Sequence, residues 1–346
     1  MDGEPTGARY VYETPWPAYA LAWSARTDSR FRLAVGSCFD HEANRIQVID
    51  LNPETKRLEL KAEVTHPFPP TKLMWKPDDN AEYGKPHMFA STGTTLNLWK
   101  LEDGQIKLLF KLANTRSTQQ GKVVHLPPLT SFDWNARSPH KLGASSVDTT
   151  CTIWDLEKQK IETQLIAHDK AVYDIAFSSV EFLFASVSAD GSVRLFDQRN
   201  LDHSTIVYEA SPPSPLLRLA WNKIDTNLIA TIASDAVGVI LIDIRRPSIA
   251  MAALSHHEAC VNHIAWAPHS RNHLLCGTDD GHALVWDVAE KPPTKAEGKQ
   301  DAQTRPRPSP LLSYACDHEV YQVHWPASQP DYVALGTAKQ VEVLQV

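Results

Sequence analysis

The sequence predicts an all-β fold in which seven short repeats close into a ring. Short apolar runs bounded by turn-forming residues recur along the chain, and one aromatic residue recurs at the same place in each repeat. These aromatics end the first strand of each repeat. They are Trp23, Trp75, Trp134, Phe177, Trp221, Trp266 and Trp325. Three of their spacings match the ~40–45-residue length of a four-stranded propeller blade, and loop insertions explain the three longer ones.

The clearest repeat runs from Ala167 to Asp197 and shows the order of a WD repeat. A turn that contains His168 leads into an apolar run, and a second run ends before the Asp190-Gly191 turn. Asp-Gly is a strong hairpin turn because glycine accepts a positive φ without a Cβ clash. A third run, Val193 to Phe196, then closes on Asp197. We therefore predict a seven-bladed WD40 β-propeller.

Two further sets of residues recur at equivalent positions in the repeats. The residue two places before each aromatic is apolar in every repeat, which predicts a strand face that is always buried. This column is Leu21, Leu73, Phe132, Ile175, Leu219, Ile264 and Val323. Two third strands end in a strict Trp-Asp pair. We predict structural roles for their tryptophans, Trp154 and Trp286.

Residues Arg9 to Thr14 alternate polar and apolar side chains but precede the first complete repeat. The last repeat has only three predicted strands, so this N-terminal strand is predicted to supply its fourth. Such closure removes the exposed edges of an open sheet. Residues 1–346 are thus predicted to form a single propeller domain.

Two polar segments interrupt the repeats. Residues 289–310 are rich in Pro, Lys, Gln and Glu without apolar periodicity, and we predict a disordered surface insert. A partner tail or a neutral insertion are both open for this segment. Residues 76–87 are predicted to form an exposed loop.

The charge and composition of the sequence limit the classes of partner that we expect the protein to bind. The formal net charge of −7 argues against a broad basic surface for nucleic acid. The five cysteines show no paired spacing, which indicates free thiols in a reducing compartment. The first ten residues lack an apolar signal-peptide core, and no aliphatic run is long enough to span a bilayer. We expect a monomer located in the cytoplasm and nucleus, without direct nucleic-acid or membrane contact.

Histidines and aspartates recur in the predicted turns. The aspartates, between second and third strands, are Asp148, Asp190 and Asp280. The histidines that enter blades four and six are His168 and His257, and His125 is a less secure candidate for blade three. A catalytic reading would pair them as general acid and base. Recurrence favours the structural reading, in which each pair joins one blade to the next.

We expect no metal and no cofactor. Residues 256–282 contain six histidines, but no cysteine or carboxylate completes a known ligand spacing. Gly277 to Gly281 forms a predicted turn without the lysine of a phosphate-binding loop.

The residues three and four places before each aromatic should lie near the mouth of the central channel. They vary in charge and size, which packing alone does not require, and Tyr and Arg favour interfaces. The predicted partner-binding residues are Tyr19, Lys72, Tyr173, Arg218, His263 and Tyr321. Local solvation or hydrogen bonding is the alternative for each of them.

Two third strands, in blades four and five, are followed by an arginine two places after the aspartate. These pairs are Asp197/Arg199 and Asp243/Arg245. The arginines are predicted to lie on the face opposite the channel mouth. Their planar guanidinium suits carboxylates and backbone carbonyls of a partner, and a local salt bridge is the alternative.

Several longer stretches resemble one WD-repeat family. They are His66–Pro70, Thr71–Met74, Leu129–Asn135, Asp148–Asp155, Glu162–Lys170, Ser186–Arg194 and Pro215–Lys223. The chain is similar over essentially its whole length to the family of the plant transparent testa glabra and light-regulated WD proteins. An animal counterpart of that family is grouped among the DDB-CUL4-associated factors.

This resemblance implies a non-catalytic scaffold that assembles MYB and basic helix-loop-helix transcription factors, or protein kinases. It also matches Asp197/Arg199 and Asp243/Arg245 to the box proposed to contact the DDB adaptor of cullin-4 ubiquitin ligases. A substrate receptor of such a ligase is therefore an alternative function. An enzyme that uses the propeller channel is a further alternative, although no convergent polar set supports it in the sequence.

Overall fold

A computed structural model of the chain describes residues 7–40, 42–77, 86–114, 126–180, 182–234, 236–255, 258–289 and 309–346. Twenty-eight strands form seven four-stranded antiparallel sheets, which confirms the predicted all-β propeller. The predicted insert at 289–310 and the predicted loop at 76–87 fall largely on residues outside the described part of the chain.

Within blades one to six the strands follow one another in sequence, from the channel outward. Blade one contains β2 (Ala18–Trp23), β3 (Arg32–Ser37), β4 (Asn44–Leu51) and β5 (Leu58–His66), after the N-terminal β1 (Arg9–Glu13). Blade two contains β6 (Leu73–Trp75), β7 (His87–Ser91), β8 (Leu96–Glu102) and β9 (Gln105–Leu112). Blade three contains β10 (Leu129–Trp134), β11 (Lys141–Ser146), β12 (Thr150–Asp155) and β13 (Lys160–Ile166).

The other blades repeat this order. Blade four contains β14 (Val172–Phe177), β15 (Leu183–Ser188), β16 (Ser192–Asp197) and β17 (Asn200–Glu209). Blade five contains β18 (Leu216–Trp221), β19 (Leu228–Ala233), β20 (Val239–Asp243) and β21 (Ala250–Leu254). Blade six contains β22 (Val261–Trp266), β23 (His273–Thr278), β24 (His282–Asp287) and β25 (Leu312–Ala315). Blade seven contains β26 (Val320–His324), β27 (Tyr332–Thr337) and β28 (Gln340–Gln345), and a 3₁₀ turn spans Thr27–Ser29.

The apolar core lies between blades rather than within them. Each of the seven hydrophobic clusters draws its residues from two consecutive blades. The apolar column two places before each aromatic is buried in every blade, as predicted. The cluster that joins Leu21 and Trp23 to Val341 and Val343 connects the first blade to the last, so the core closes into a ring.

The N-terminal strand completes blade seven. β1 pairs with β28 in antiparallel register from Arg9 opposite Leu344 to Glu13 opposite Gln340. The Arg9 guanidinium donates to the Glu342 carboxylate at 2.9 Å, and the Glu342 side chain has no exposed surface. The predicted closure of the ring is therefore confirmed.

The Gly191 turn and the two tryptophans of the Trp-Asp pairs are parts of the propeller structure. Gly191 adopts φ +84, and a Cβ there would come within 2.9 Å of the Ser214 carbonyl oxygen. Trp286 is buried and its indole N–H donates to the Cys276 sulfur at 3.2 Å. Trp154 is equally buried, but its indole N–H has no partner among the described residues.

The described residues include no helix with the length and apolar character that a membrane crossing requires.

Candidate protein-interaction site

A bulge opens the innermost strand of six blades. In β2 the pairing with β3 shifts between Ala18 and Ala20, which leaves Tyr19 out of the ladder, and five other inner strands shift at the same place. A bulge leaves the extra residue unpaired and redirects its side chain. The residues at the bulges are Tyr19, Thr130, Tyr173, Leu217, Asn262 and Tyr321.

All six bulge residues line one cavity where the inner strands begin. With Thr71 they form a ring from all seven blades, and Arg218 and Val261 complete the wall of this cavity of approximately 340 Å³. We call this cavity the channel mouth. Four of the six predicted partner-binding residues come together there: Tyr19, Tyr173, Arg218 and Tyr321. The mouth offers phenol rings, hydroxyl groups, an amide and a guanidinium, which suit the side chains of a protein segment.

The other two predicted partner-binding residues do not line the mouth. The Lys72 ammonium contacts the Asp174 carboxylate at 3.3 Å, and its side chain is largely covered. A ring nitrogen of His263 lies 3.1 Å from the Gln322 side-chain amide. His263 follows the bulge residue Asn262 in blade six, whereas Lys72 lies just before β6 of blade two, whose pairing with β7 shows no register shift. Their part in the partner-binding surface stays a prediction.

Asp174 is the centre of a polar network inside the channel. Its carboxylate accepts hydrogen bonds from the Ser131 hydroxyl at 2.5 Å and from the Leu219 backbone N–H at 2.9 Å. The carboxylate also accepts a hydrogen bond from the Ile175 backbone N–H at 2.9 Å and contacts the Lys72 ammonium. Four blades thus meet at one buried carboxylate. Because its acceptor positions are occupied, Asp174 is a structural group rather than a free base.

Hydrogen bonds also order the rim of the mouth. The Tyr321 hydroxyl donates to the Glu319 carboxylate at 2.8 Å, and the Asn262 amide donates to Asp279 at 2.6 Å. Burial first, and then the neighbouring Glu319, raise the pKa of Tyr321 to about 12. This phenol is therefore neutral at physiological pH and available as an aromatic contact.

The two Asp-x-Arg pairs lie at the other end of their blades. The third strand of a blade runs parallel to the first, so the turns after β16 and β20 lie opposite the mouth. Arg199 donates to Asp197 and Arg245 donates to Asp243, each from Nε at 2.9 Å. The ion pair with Arg199 lowers the pKa of Asp197 to about 2. Even so, the two arginine side chains are 66% and 64% exposed, so they remain accessible to a partner.

The predicted His–Asp pairing is present in blade four. His168 Nδ1 lies 2.9 Å from the Asp190 carboxylate and its Nε2 lies 2.7 Å from the Ser186 hydroxyl. Burial opposes ionisation of Asp190, but hydrogen bonds from His168 and Ser192 hold its pKa well below the usual range. This arrangement ties the turn that enters blade four to the turn between its second and third strands.

The other two predicted turn aspartates make contacts within their own turns. Asp148 accepts from the Thr150 hydroxyl, and Asp280 contacts His282, both two residues further along the chain. His125 and His257 lie outside the described residues. The pairing of Asp148 and Asp280 with these histidines therefore stays a prediction.

Blade two carries a related cluster that the sequence analysis missed. His66 Nε2 lies 3.0 Å from the Ser91 hydroxyl, which also accepts the Trp99 indole N–H at 2.8 Å. His66 lies just before blade two, at a position equivalent to that of His168 before blade four. This equivalence is the sequence feature that predicts the cluster.

The described residues contain no group of three or more His, Cys, Asp or Glu side chains arranged to hold a metal ion. His263 lies at the channel, His282 pairs with Asp280, and the His269 ring packs against Trp325. The histidines of the 256–282 stretch that the structure describes therefore serve separate contacts.

Comparisons with known proteins extend these observations. Residues 159–197 and 250–287 match the family described as WD domain, G-beta repeat. A Dictyostelium discoideum protein named DDB1- and CUL4-associated factor 7 homolog is 46% identical over 339 residues, covering 97% of this chain and 98% of that protein. An uncharacterized WD repeat-containing protein of Schizosaccharomyces pombe is 36% identical, covering 98% of this chain and 90% of its own length. A WD repeat-containing protein of Saccharomyces cerevisiae is 34% identical, covering 80% of this chain and 57% of its own length.

These matches support the DDB-CUL4-associated part of the predicted resemblance and indicate no enzyme family. The resemblance to the plant transparent testa glabra proteins stays a prediction. The chain belongs to the WD-repeat family that includes the DDB1- and CUL4-associated factor 7 homolog of Dictyostelium discoideum.

Proposed function

We propose that this protein is a non-catalytic scaffold that holds partner proteins at the channel mouth. The observation that carries the proposal is the convergence of one side chain from each blade, three of them tyrosines, on a single cavity. Tyrosine supplies a large contact area at low entropic cost and is favoured at protein interfaces. The partners we propose are transcription factors of the MYB and basic helix-loop-helix types, or protein kinases, in the cytoplasm and nucleus.

The rim variant Tyr173→Ala/Arg218→Ala/Tyr321→Ala tests this function. Affinity purification of the full-length protein from its own cells, followed by mass spectrometry, should recover partners in near-stoichiometric amounts with the wild type. The variant should recover at least about tenfold less, because truncated interface anchors each cost more than about 1 kcal/mol. Thermal unfolding of both proteins controls for folding. Equal recovery of all partners by both proteins would contradict the proposal.

A second function, substrate receptor of a cullin-4 ubiquitin ligase, is supported by two observations. The relative with 46% identity is named as associated with DDB1 and CUL4. In this chain, Asp197 and Asp243 orient two exposed arginines on successive blades. Phe182 lies beside the first of them, with its ring centroid 5.3 Å from the Arg199 guanidinium carbon. We propose that these two turns contact the DDB adaptor.

The variant Arg199→Ala/Arg245→Ala should lose the adaptor from the same purification while it keeps the partners of the channel mouth. Arg57→Ala is a matched control because Arg57 is an exposed arginine in the corresponding turn of blade one. Wild-type recovery of the adaptor by the double variant would count against the ligase function.

A further inference from the structure

Arg218 differs in its charge partners from the other buried or half-buried arginines of the described chain. Arg26, Arg32 and Arg194 are also buried or half-buried, and each pairs with a carboxylate. The half-buried Arg218 has no carboxylate partner among the residues that the structure describes, although it forms part of the wall of the channel mouth. A charge that is partly removed from water is costly unless an opposite charge compensates it. The mouth is therefore arranged to gain from an incoming anion.

The other charged side chains described around the mouth already have hydrogen-bond or ion-pair partners. Lys72 pairs with Asp174 below the mouth, and Glu319 and Asp279 on the rim accept hydrogen bonds from Tyr321 and Asn262. Burial first, and then the charge of Arg218, hold the pKa of His263 well below its ordinary value, so this imidazole is neutral at physiological pH. Among the described residues, Arg218 is thus the charged group in the wall of the mouth that lacks a charged partner.

We propose that the channel mouth receives a single carboxylate side chain, Asp or Glu, from a segment of a partner protein, and that Arg218 is its ion-pair partner. This inference rests on the proposed scaffold function and specifies the chemistry of the bound segment. A guanidinium accepts a carboxylate through two parallel hydrogen bonds, and the neighbouring tyrosines contact the apolar part of the segment. A phosphoryl group fits less well, because its second negative charge finds no second unpaired cation among the described residues and adds to the repulsion from Glu319 and Asp279.

Selection of a random peptide library on phage tests the inference with the full-length chain as bait. The enriched peptides should share one Asp or Glu at a fixed position. Arg218→Ala should remove this preference, and Arg218→Glu should replace it with Lys or Arg at the same position. For one enriched peptide made synthetically, replacement of its acid by the amide should weaken binding roughly tenfold to a hundredfold.

Arg246→Ala is the matched control, because Arg246 is an exposed arginine of the same blade in the turn after β20. It should leave the selected peptides unchanged, and thermal unfolding should show that every variant is folded. A shared motif without an acid, an acid preference that survives Arg218→Ala, or tighter binding of a phosphoserine peptide would overturn the inference while leaving the scaffold function intact. No enriched peptide, together with full partner recovery by the rim variant, would overturn both.

Discussion

Deletion of residues 1–15 should destabilise the whole propeller by on the order of 5 kcal/mol. The deletion removes the β1–β28 ladder and the packing of Tyr10 and Tyr12 against the cluster between blades seven and one. It leaves β28 with an unpaired edge. It also takes the Arg9 guanidinium from Glu342, a carboxylate with no exposed side-chain surface. Because that cluster closes the ring, the loss should affect the main unfolding transition rather than a local one.

Differential scanning calorimetry measures this effect. The truncated protein should unfold at a clearly lower temperature and less cooperatively than the full chain. Val11→Thr is the control, because Val11 is an exposed residue of the same strand and its replacement should change stability by less than about 0.5 kcal/mol. An unchanged unfolding temperature after truncation would show that β1 does not close the ring.

Asp174→Ala should destabilise the protein by about 3–5 kcal/mol, the cost of breaking a buried, fully bonded charge network. The change leaves the Lys72 ammonium, the Ser131 hydroxyl and the Leu219 backbone N–H without their shared acceptor. Since these donors come from blades two, three and five, the change should weaken several blade contacts at once. Urea unfolding measures the difference in free energy.

Asp169→Ala is the matched control for this variant. Asp169 also pairs with a cation, Arg194, but its side chain is 82% exposed, so its removal should cost at most about 1 kcal/mol. Asp174→Asn keeps the volume and one acceptor oxygen and should fall between the two. Equal effects of the Asp174→Ala and Asp169→Ala substitutions would contradict a structural role for the channel network.

The fold follows from features that a single sequence displays. Trp134 and Phe177 mark two blades at a regular spacing, and the apolar residue two places earlier fixes which face is buried. The alternation at Arg9–Glu13 and the three-stranded last repeat together predict the closure. These signals are local, so they need no knowledge of neighbouring blades.

The site is only partly predictable because its geometry depends on the bulges. Simple alternation along β14 places Tyr173 and Asp174 on opposite faces, but it does not show that Tyr173 lines the mouth while Asp174 joins the polar network of the channel interior. The bulge that separates them carries no glycine or proline to mark it. Arg218 and His263 each follow a bulge residue, and of these two Arg218 lines the mouth.

The pairing of polar groups is the second feature that the sequence does not determine. Asp174 accepts its donors from blades two, three and five, at sequence separations that no local pattern encodes. The relative positions of neighbouring blades determine which of these polar groups pair.

Hydroxyl-radical footprinting of the purified complex tests the central claim, that partners bind at the channel mouth, most directly. The oxidation rates of Tyr19, Tyr173 and Tyr321 in the free protein are compared with those in the complex with its most abundant co-purified partner other than the DDB adaptor. We expect all three tyrosines to be protected by the partner, while Phe182, exposed on the opposite face, keeps its rate. Unchanged oxidation of the tyrosines with protection of Phe182 would instead locate the partner on the opposite face and contradict the account.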